Sequence, residues 1–153
     1  ALAAALWFHD RDPARAIGFN RVALALNPDH AAALTNLGLL LTNSGELGTA
    51  VALLERAVKL YPNDHIAHFN LGGAVYERGR KSPPAFRRAD YDRAETAYRR
   101  TLELSPNYGA AHSNLGAMYG NRNAPGDKDR ALDALAAAVK LAPNEPTVRS
   151  NYG

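Results

Sequence analysis

The sequence predicts an all-α protein, built as an α-solenoid of repeated antiparallel helix pairs. The 153 residues are rich in Ala, Leu and Arg, have 46% hydrophobic residues and few β-branched runs, which favours helices. An Asn–apolar–Gly tripeptide recurs along the chain, and a recurring motif in a helical chain indicates a repeat architecture. The four copies are Asn36-Leu37-Gly38, Asn70-Leu71-Gly72, Asn114-Leu115-Gly116 and Asn151-Tyr152-Gly153.

Three further positions keep a fixed distance from the glycine of each tripeptide. Each Gly follows a Pro by ten residues, each Pro follows an Ala by twelve, and each Ala follows an acid by four. Only the interval from Gly to the next Ala varies, as expected for two rigid helices joined by a tolerant loop. The prolines are Pro28, Pro62, Pro106 and Pro143, the alanines are Ala16, Ala50, Ala94 and Ala131, and the acids are Asp12, Glu46, Asp90 and Asp127.

These offsets divide the chain into a single domain of repeat units. The units span about 1–30 (with a partial first helix), 31–64, 65–108, 109–145 and the start of a fifth at 146–153. The third carries a ten-residue insertion near 80–89, where Pro83-Pro84 predicts an extended loop, and the fourth a three-residue insertion near 122–127. Predicted helices span 12–27, 30–43, 46–60, 64–79, 90–104, 108–121 and 127–141, with short terminal pieces.

Each unit is predicted to contain two helices. The second begins near the acid and ends before Pro, and Asp12-Pro13 is a cap followed by Pro at the first helical position. The first helix carries Gly72 within the apolar stripe of His68, Leu71 and Val75. Gly in this stripe lets a neighbouring helix backbone approach closely, and the repeated alanines of the second helices are its expected counterparts.

The pattern resembles the tetratricopeptide repeat (TPR) family over essentially the whole chain. Pro28 to Pro62 is the 34-residue period of that family, although several of its aromatic positions are Leu or His here. The resemblance implies a right-handed TPR superhelix whose first helices line a concave surface that binds a protein or peptide. In the third unit the family motif is matched by His68, Leu71-Gly72, Val75, Ala94, Tyr98 and Pro106.

The asparagine of each tripeptide is predicted to point away from the packed stripe. The resemblance then implies a ladder along the concave groove, similar to the asparagine ladder in the TPR superhelix of O-linked N-acetylglucosamine transferase. An amide can donate and accept, so it can pair with the backbone of an extended peptide. Alternatively, these asparagines bond a neighbouring helix and only hold the units together. The candidate peptide-binding residues are Asn36, Asn70, Asn114 and Asn151, with Asn43, Phe69, Tyr76, Glu77 and Asn121 around them.

No catalytic constellation is present, so the chain is predicted to be a non-catalytic scaffold without cofactor or metal. A Gly-rich phosphate loop, GxSxG and HExxH are all missing. His65 and His68 are spaced like a metal pair, but His68 and His112 occupy the same interhelical position, which indicates core-edge histidines. The scaffold would belong to a larger protein, for example as the recruiting segment of a glycosyltransferase. The alternative is an architectural spacer or an end-to-end assembly element.

Charge and hydropathy limit the classes of partner that the chain is expected to have. The net charge of +3 is mild, but residues 80–100 hold seven basic and three acidic groups. We interpret them as a solvated ridge without a partner; the alternatives are contact with nucleic acid, an acidic protein or lipid headgroups. Only Phe86 and Tyr91 interleave with these cations, which argues against nucleic acid. No apolar stretch reaches membrane-spanning length, and zero Cys leaves the compartment open between cytoplasm and periplasm. Trp7, Phe8 and Tyr152 in the end units predict end-to-end self-association.

Overall fold

The computed structural model describes residues 12–141, and these residues form helices joined by short turns, with no strand among them. This confirms the predicted all-α solenoid. Trp7, Phe8, Asn151 and Tyr152 lie outside the described residues. The helices are α1 (Pro13–Leu26), α2 (Ala31–Ser44), α3 (Leu47–Leu60), α4 (His65–Lys81), α5 (Pro84–Leu104), α6 (Gly109–Arg122) and α7 (Asp127–Leu141).

The helices stack in a regular order. The pairs α2/α3, α4/α5 and α6/α7 pack within units, and α1, α3 and α5 each pack on the first helix of the following unit. The first helices α2, α4 and α6 also contact one another in sequence, whereas no two second helices within residues 12–141 bring Cα atoms within 8 Å. Because first helices lie closer together than second helices do, the stack curves with α2, α4 and α6 on the inside. We call their inward-facing surface the inner wall.

The repeated glycines make room for large side chains of the partner helix. A Cβ placed on Gly72 would lie 2.7 Å from the ring of Tyr98, and one on Gly116 would lie 2.5 Å from Cγ of Leu135. The counterpart of each glycine is therefore the large residue four positions after the repeated alanine, not the alanine itself as expected. Ala16, Ala50 and Ala94 are nevertheless completely buried, and Ala131 is partly buried. The largest wholly enclosed apolar side chains of this core include Leu34, Leu41, Leu54, Val75, Tyr98 and Met118.

The prediction of an extended loop at 80–89 is wrong. Helix α4 continues to Lys81 and α5 begins at Pro84, so only Ser82 and Pro83 connect them. Pro84 is the first residue of α5, where the missing N–H costs no helical hydrogen bond. The extension is packed, because the ring of Tyr91 lies directly against Gly79. A Cβ added to Gly79 would lie 2.9 Å from that ring. Both helices lengthen to absorb the insertion.

The acid that precedes each second helix is not always a cap. Asp12 caps α1 as expected, accepting from the N–H groups of Ala14 at 3.0 Å and Arg15 at 3.1 Å. Glu46 precedes α3 but makes no side-chain cap bond. Asp90 lies inside α5, because that helix begins six residues earlier. The charge at this position therefore has a different task in the third unit.

Candidate functional site

The inner wall holds the asparagines of the repeated tripeptide at one helical position. Asn36 lies on α2, Asn70 on α4 and Asn114 on α6, each two residues before the repeat glycine. Asn36 and Asn114 are partly buried, but Asn70 is only 8% exposed, less than a side chain pointing into an open groove would be. Helix α4 is flanked on the inner wall by α2 and α6, and this crowding accounts for the burial of Asn70.

The hydrogen bonding of these three amides differs from unit to unit. Asn114 donates through Nδ2 to the hydroxyl of Tyr98 at 3.3 Å. The side chains of Asn36 and Asn70 have no hydrogen-bond partner within residues 12–141. Tyr98 lies on the second helix of the unit that precedes Asn114. In the unit that precedes Asn70, the same position of the second helix is Leu54. Since Leu has no polar atom, Asn70 keeps its donors and acceptor uncommitted.

A second row of polar side chains lies seven residues further along the same helices. It consists of Asn43, Glu77 and Asn121, each five residues after the repeat glycine. Asn43 is exposed without a partner in the described part of the chain, whereas Glu77 accepts from Arg80 at 2.8 Å. Two helical turns separate the rows, about 10 Å along each helix. The inner wall therefore presents two parallel polar rows.

Asn121 is joined to Tyr76 across the unit boundary. Its Nδ2 donates to the Tyr76 hydroxyl at 2.7 Å and to the carbonyl of Ala117 at 2.8 Å. Tyr76 is 9% exposed, and burial, followed by the proximity of Tyr91, raises its pKa. The phenol therefore stays protonated at neutral pH. Tyr76 was predicted to border the groove, and here its hydroxyl links α4 to α6.

Phe69 is occupied by contacts with two tyrosine rings, Tyr98 on α5 and Tyr108 at the N-cap of α6. Its ring centroid lies 5.0 Å from that of Tyr108 in an edge-to-face arrangement and 5.9 Å from that of Tyr98. Such pairs stabilise packing beyond the area that they bury. Phe69 is only partly buried, so one part of the ring remains accessible beside Asn70.

A charged cluster that the sequence analysis did not single out joins the third unit to the fourth. Arg122 forms a two-point ion pair with Asp127, with both N–O distances at 2.8 Å, and also contacts Glu95 at 2.7 Å and Asp92 at 2.8 Å. Arg78 forms the same fork with Asp90, at 3.0 and 2.6 Å. Both arginines lie six residues after a repeat glycine, and this shared offset was the available signal.

The charges of this cluster stabilise one another. Asp127 is 1% exposed, and the hydrogen bonds from Arg122 lower its pKa despite burial. Burial alone would raise the pKa of Glu95, but hydrogen bonds from Tyr119, Arg99 and Arg122 bring it below the ordinary value. Because each carboxylate is matched by a guanidinium, the cluster is suited to holding two units together.

The histidines make a repeated structural contact. Nε2 of His68 lies 3.0 Å from the carbonyl oxygen of Pro62, and Nε2 of His112 lies 3.0 Å from that of Pro106. Each imidazole thereby ties a first helix to the turn before it. Among the described residues, no group of three or more His, Cys, Asp or Glu side chains is placed to hold a metal ion.

The described chain also has two open clefts between neighbouring second helices, away from the asparagine rows. One of about 670 Å³ lies between α3 and α5 over His68 and Leu71, and one of about 520 Å³ lies between α5 and α7 over His112 and Leu115. They occupy equivalent places in consecutive units. Their openings carry arginines already paired with carboxylates, such as Arg93 with Glu55. These clefts arise from the stacking of the repeats.

Comparisons with known proteins agree with this architecture. A sequence model described as Tetratricopeptide repeat matches residues 11–65, 35–82 and 85–146. A thermophilic TPR protein from Thermus thermophilus is 22% identical with a TM-score of 0.85, over 99% of this chain and 76% of that one. MamA from Desulfovibrio magneticus RS-1 is 18% identical with a TM-score of 0.77, over 99% and 77%.

A third similar structure is the APC/C hetero-tetramer Cut9–Hcn1, with 23% identity and a TM-score of 0.75, over 90% of this chain and 25% of that one. At such identities the likeness concerns the fold alone. No curated protein sequence matches this chain.

Proposed function

Because the chain belongs to the tetratricopeptide repeat family, we propose that it binds an extended segment of another protein along the inner wall. TPR proteins generally act as protein-interaction scaffolds, and proteins with the TPR fold are generally non-enzymatic. In our proposal the asparagines of the first helices pair with the backbone of the ligand. The ligand is therefore selected mainly for an extended conformation, and only weakly for its sequence.

The observation that carries the proposal is the unpaired state of Asn36 and Asn70. Asn70 is 8% exposed and still has no hydrogen-bond partner in residues 12–141. Neither amide is among the enclosed side-chain atoms that lack a partner, so both are open to water, which a backbone N–H or C=O of a ligand would replace. Both amides lie at the same position of adjacent first helices, as a ligand that crosses those helices requires.

The repeat spacing suits an extended peptide. Neighbouring packed helices lie roughly 8–10 Å apart, and an extended chain advances about 3.3 Å per residue. One asparagine would thus meet about every third residue of the ligand. Asn43 on the second row lies to one side, and the accessible part of Phe69 offers an apolar contact for a ligand side chain.

A second candidate function is architectural, as a spacer or an end-to-end assembly element without a groove ligand. It is favoured by the bond from Asn114 to Tyr98, which joins neighbouring units, and by the packing of Phe69 against Tyr108 at the N-cap of α6. In this alternative the inner-wall residues only hold the stack together. The two candidates differ in what loss of the unpaired amides would do.

The test uses a peptide first isolated by pull-down and then titrated calorimetrically against variants. We expect Asn36→Ala with Asn70→Ala to weaken binding by about 1–3 kcal/mol, since each neutral hydrogen bond contributes about 0.5–1.5 kcal/mol. The melting temperature should stay unchanged, because no intramolecular bond is lost. Asn114→Ala should instead lower the melting temperature by removing the bond to Tyr98.

Thr49→Ala, at an exposed position of the second helix α3, is the matched control and should alter neither quantity. If the double variant melts earlier and still binds the peptide like the parent, the asparagines are structural and the architectural function stands.

A further inference from the structure

The hairpin of α4 and α5 is longer than its counterparts. These helices have 17 and 21 residues, whereas α2, α3 and α6 have 14 each and α7 has 15. Counted from the repeat alanine, α5 begins seven residues earlier than α3 does, which adds about 10 Å of helix. The end of this hairpin, residues 80–88, therefore stands beyond the turns of the neighbouring units. We call it the hairpin tip.

The hairpin tip combines an exposed aromatic ring with cations. Phe86 is 69% exposed, and Pro83, Pro84 and Ala85 beside it are exposed as well. The tip contains no acidic residue. Its four cations are Arg80, Lys81, Arg87 and Arg88.

Three of these cations are not neutralised by a close carboxylate. Arg80 is paired with Glu77 at 2.8 Å, but Lys81 has no ion-pair partner within residues 12–141. Arg88 lies 3.8 Å from the nearest oxygen of Asp92 with its side chain 77% exposed. Arg87 donates only to the carbonyl of Ser82 at 3.3 Å, and its Nε is buried without a partner. The tip therefore presents positive charge that no close carboxylate neutralises.

We propose that the hairpin tip docks this protein onto an anionic lipid surface. Phe86 enters the headgroup region, while Lys81, Arg87 and Arg88 contact the negatively charged headgroups. An apolar ring flanked by basic side chains matches the polarity of a bilayer interface, and two such signals together give reversible binding. None of the helices in residues 12–141 has the length and hydropathy to cross a bilayer.

The shape of the hairpin tip favours a lipid surface over a protein. A stable protein interface buries about 800 Å² on each partner and is built around anchors seated in pockets. Nine residues at a convex end offer neither that area nor a pocket, whereas a bilayer accepts a single protruding ring. Docking at this edge leaves Asn36 and Asn70 on the inner wall free, so the proposal is independent of the groove ligand.

The test measures co-sedimentation of the full chain with phosphatidylcholine vesicles, with and without phosphatidylglycerol, at low ionic strength. We expect binding only to the vesicles that contain phosphatidylglycerol. Phe86→Ser should lower the partition coefficient about tenfold, since burial of the ring is lost. Arg87→Gln with Arg88→Gln should lower it on the order of tenfold, since each cation near an anionic surface favours binding.

Two controls match these variants away from the hairpin tip. Leu26→Ser removes an apolar side chain that is 83% exposed at the opposite edge of the stack, and Arg21→Gln with Lys59→Gln removes the same charge from other exposed positions. Both should bind like the parent. The proposal is overturned if the parent binds vesicles with and without phosphatidylglycerol equally, or if the controls lose as much binding as the tip variants. It is also overturned if the parent binds polyglutamate but no vesicles, and the tip variants lose that binding to polyglutamate. The last result would assign the tip to an acidic protein.

Discussion

At the scale of single residues, the solenoid depends on pairs of one very small and one large side chain. Gly72 lies inside α4, where it costs helix propensity, yet its missing side chain is the space into which the ring of Tyr98 packs. Tyr98 is wholly buried and its hydroxyl accepts from Asn114 in the next unit. One glycine therefore permits contacts within its own unit and a hydrogen bond to the next.

We expect Gly72→Ala to destabilise the protein by about 1–3 kcal/mol, because the new Cβ would lie 2.7 Å from the Tyr98 ring and force the helices apart. This loss outweighs the gain in helix propensity of roughly 1 kcal/mol. The measurement is chemical denaturation followed by circular dichroism. Gly18→Ala in α1, where no neighbouring atom of residues 12–141 lies within 4 Å of the added atom, should stabilise the protein instead. Equal stabilisation by both changes would contradict the packing argument.

At the scale of elements, a guanidinium–carboxylate fork closes the helix pair of the last two described units. Arg78 pairs with Asp90, and Arg122 pairs with Asp127, at equivalent repeat positions. In the preceding unit those positions hold Ser44 and Glu46, and the Ser44 hydroxyl donates to a carbonyl of its own helix. The fork is thus a feature of individual units and not of the repeat as a whole.

The lowered pKa of Asp127 predicts acid sensitivity. The unfolded chain takes up this proton near pH 4, above the pH at which the folded protein does. The stability due to the pair is therefore present above about pH 4 and is lost as the pH falls through the lowered pKa. We expect Asp127→Asn to cost about 1–3 kcal/mol at neutral pH and to lose less of its remaining stability on acidification than the parent.

Chemical denaturation at a series of pH values provides the measurement. Asp129→Asn, at an exposed position two residues away, should retain the pH dependence of the parent. If Asp127→Asn loses stability with acid as steeply as the parent, other carboxylates govern the acid response.

At the scale of the whole molecule, the number of helices that a helix contacts depends on its place in the stack. Helix α4 contacts α2, α3, α5 and α6, whereas among the described helices α1 contacts only α2 and α7 contacts only α6. In a repeat architecture each helix is stabilised by its immediate neighbours. The middle of the described stack should therefore open least often.

Hydrogen exchange should show this gradient. We expect the backbone amides of α4 to exchange most slowly and those of α1 and α7 faster, since local opening of α4 would break contacts with four helices. Mass spectrometry of peptic peptides after timed exchange measures the effect. Uniform protection of α1, α4 and α7 would indicate that the stack opens as one cooperative unit.

The sequence by itself determined the helix pairs, their order and their packing stripes. The offsets among Asn, Gly, Ala and Pro repeat because every unit solves the same local packing problem, and six of the seven described helices begin and end within two residues of their predicted bounds. The cap formed by Asp12 could be predicted from the sequence, because capping involves only the next few residues. The candidate asparagines were found in the same way, through their constant distance from the repeat glycine.

Only the tertiary structure decided which of those asparagines is paired. Asn114 meets the hydroxyl of Tyr98 sixteen residues earlier, whereas Asn70 has Leu54 at the equivalent place and no partner in the described residues. The structure also made helix of most of the 80–89 insertion and confined the break at the prolines to Ser82 and Pro83, because Gly79 leaves room for Tyr91 and the lengthened helices pack together there. Periodicity reports which face a side chain occupies, but a hydrogen bond or a packed ring depends on the distant residue that meets it there.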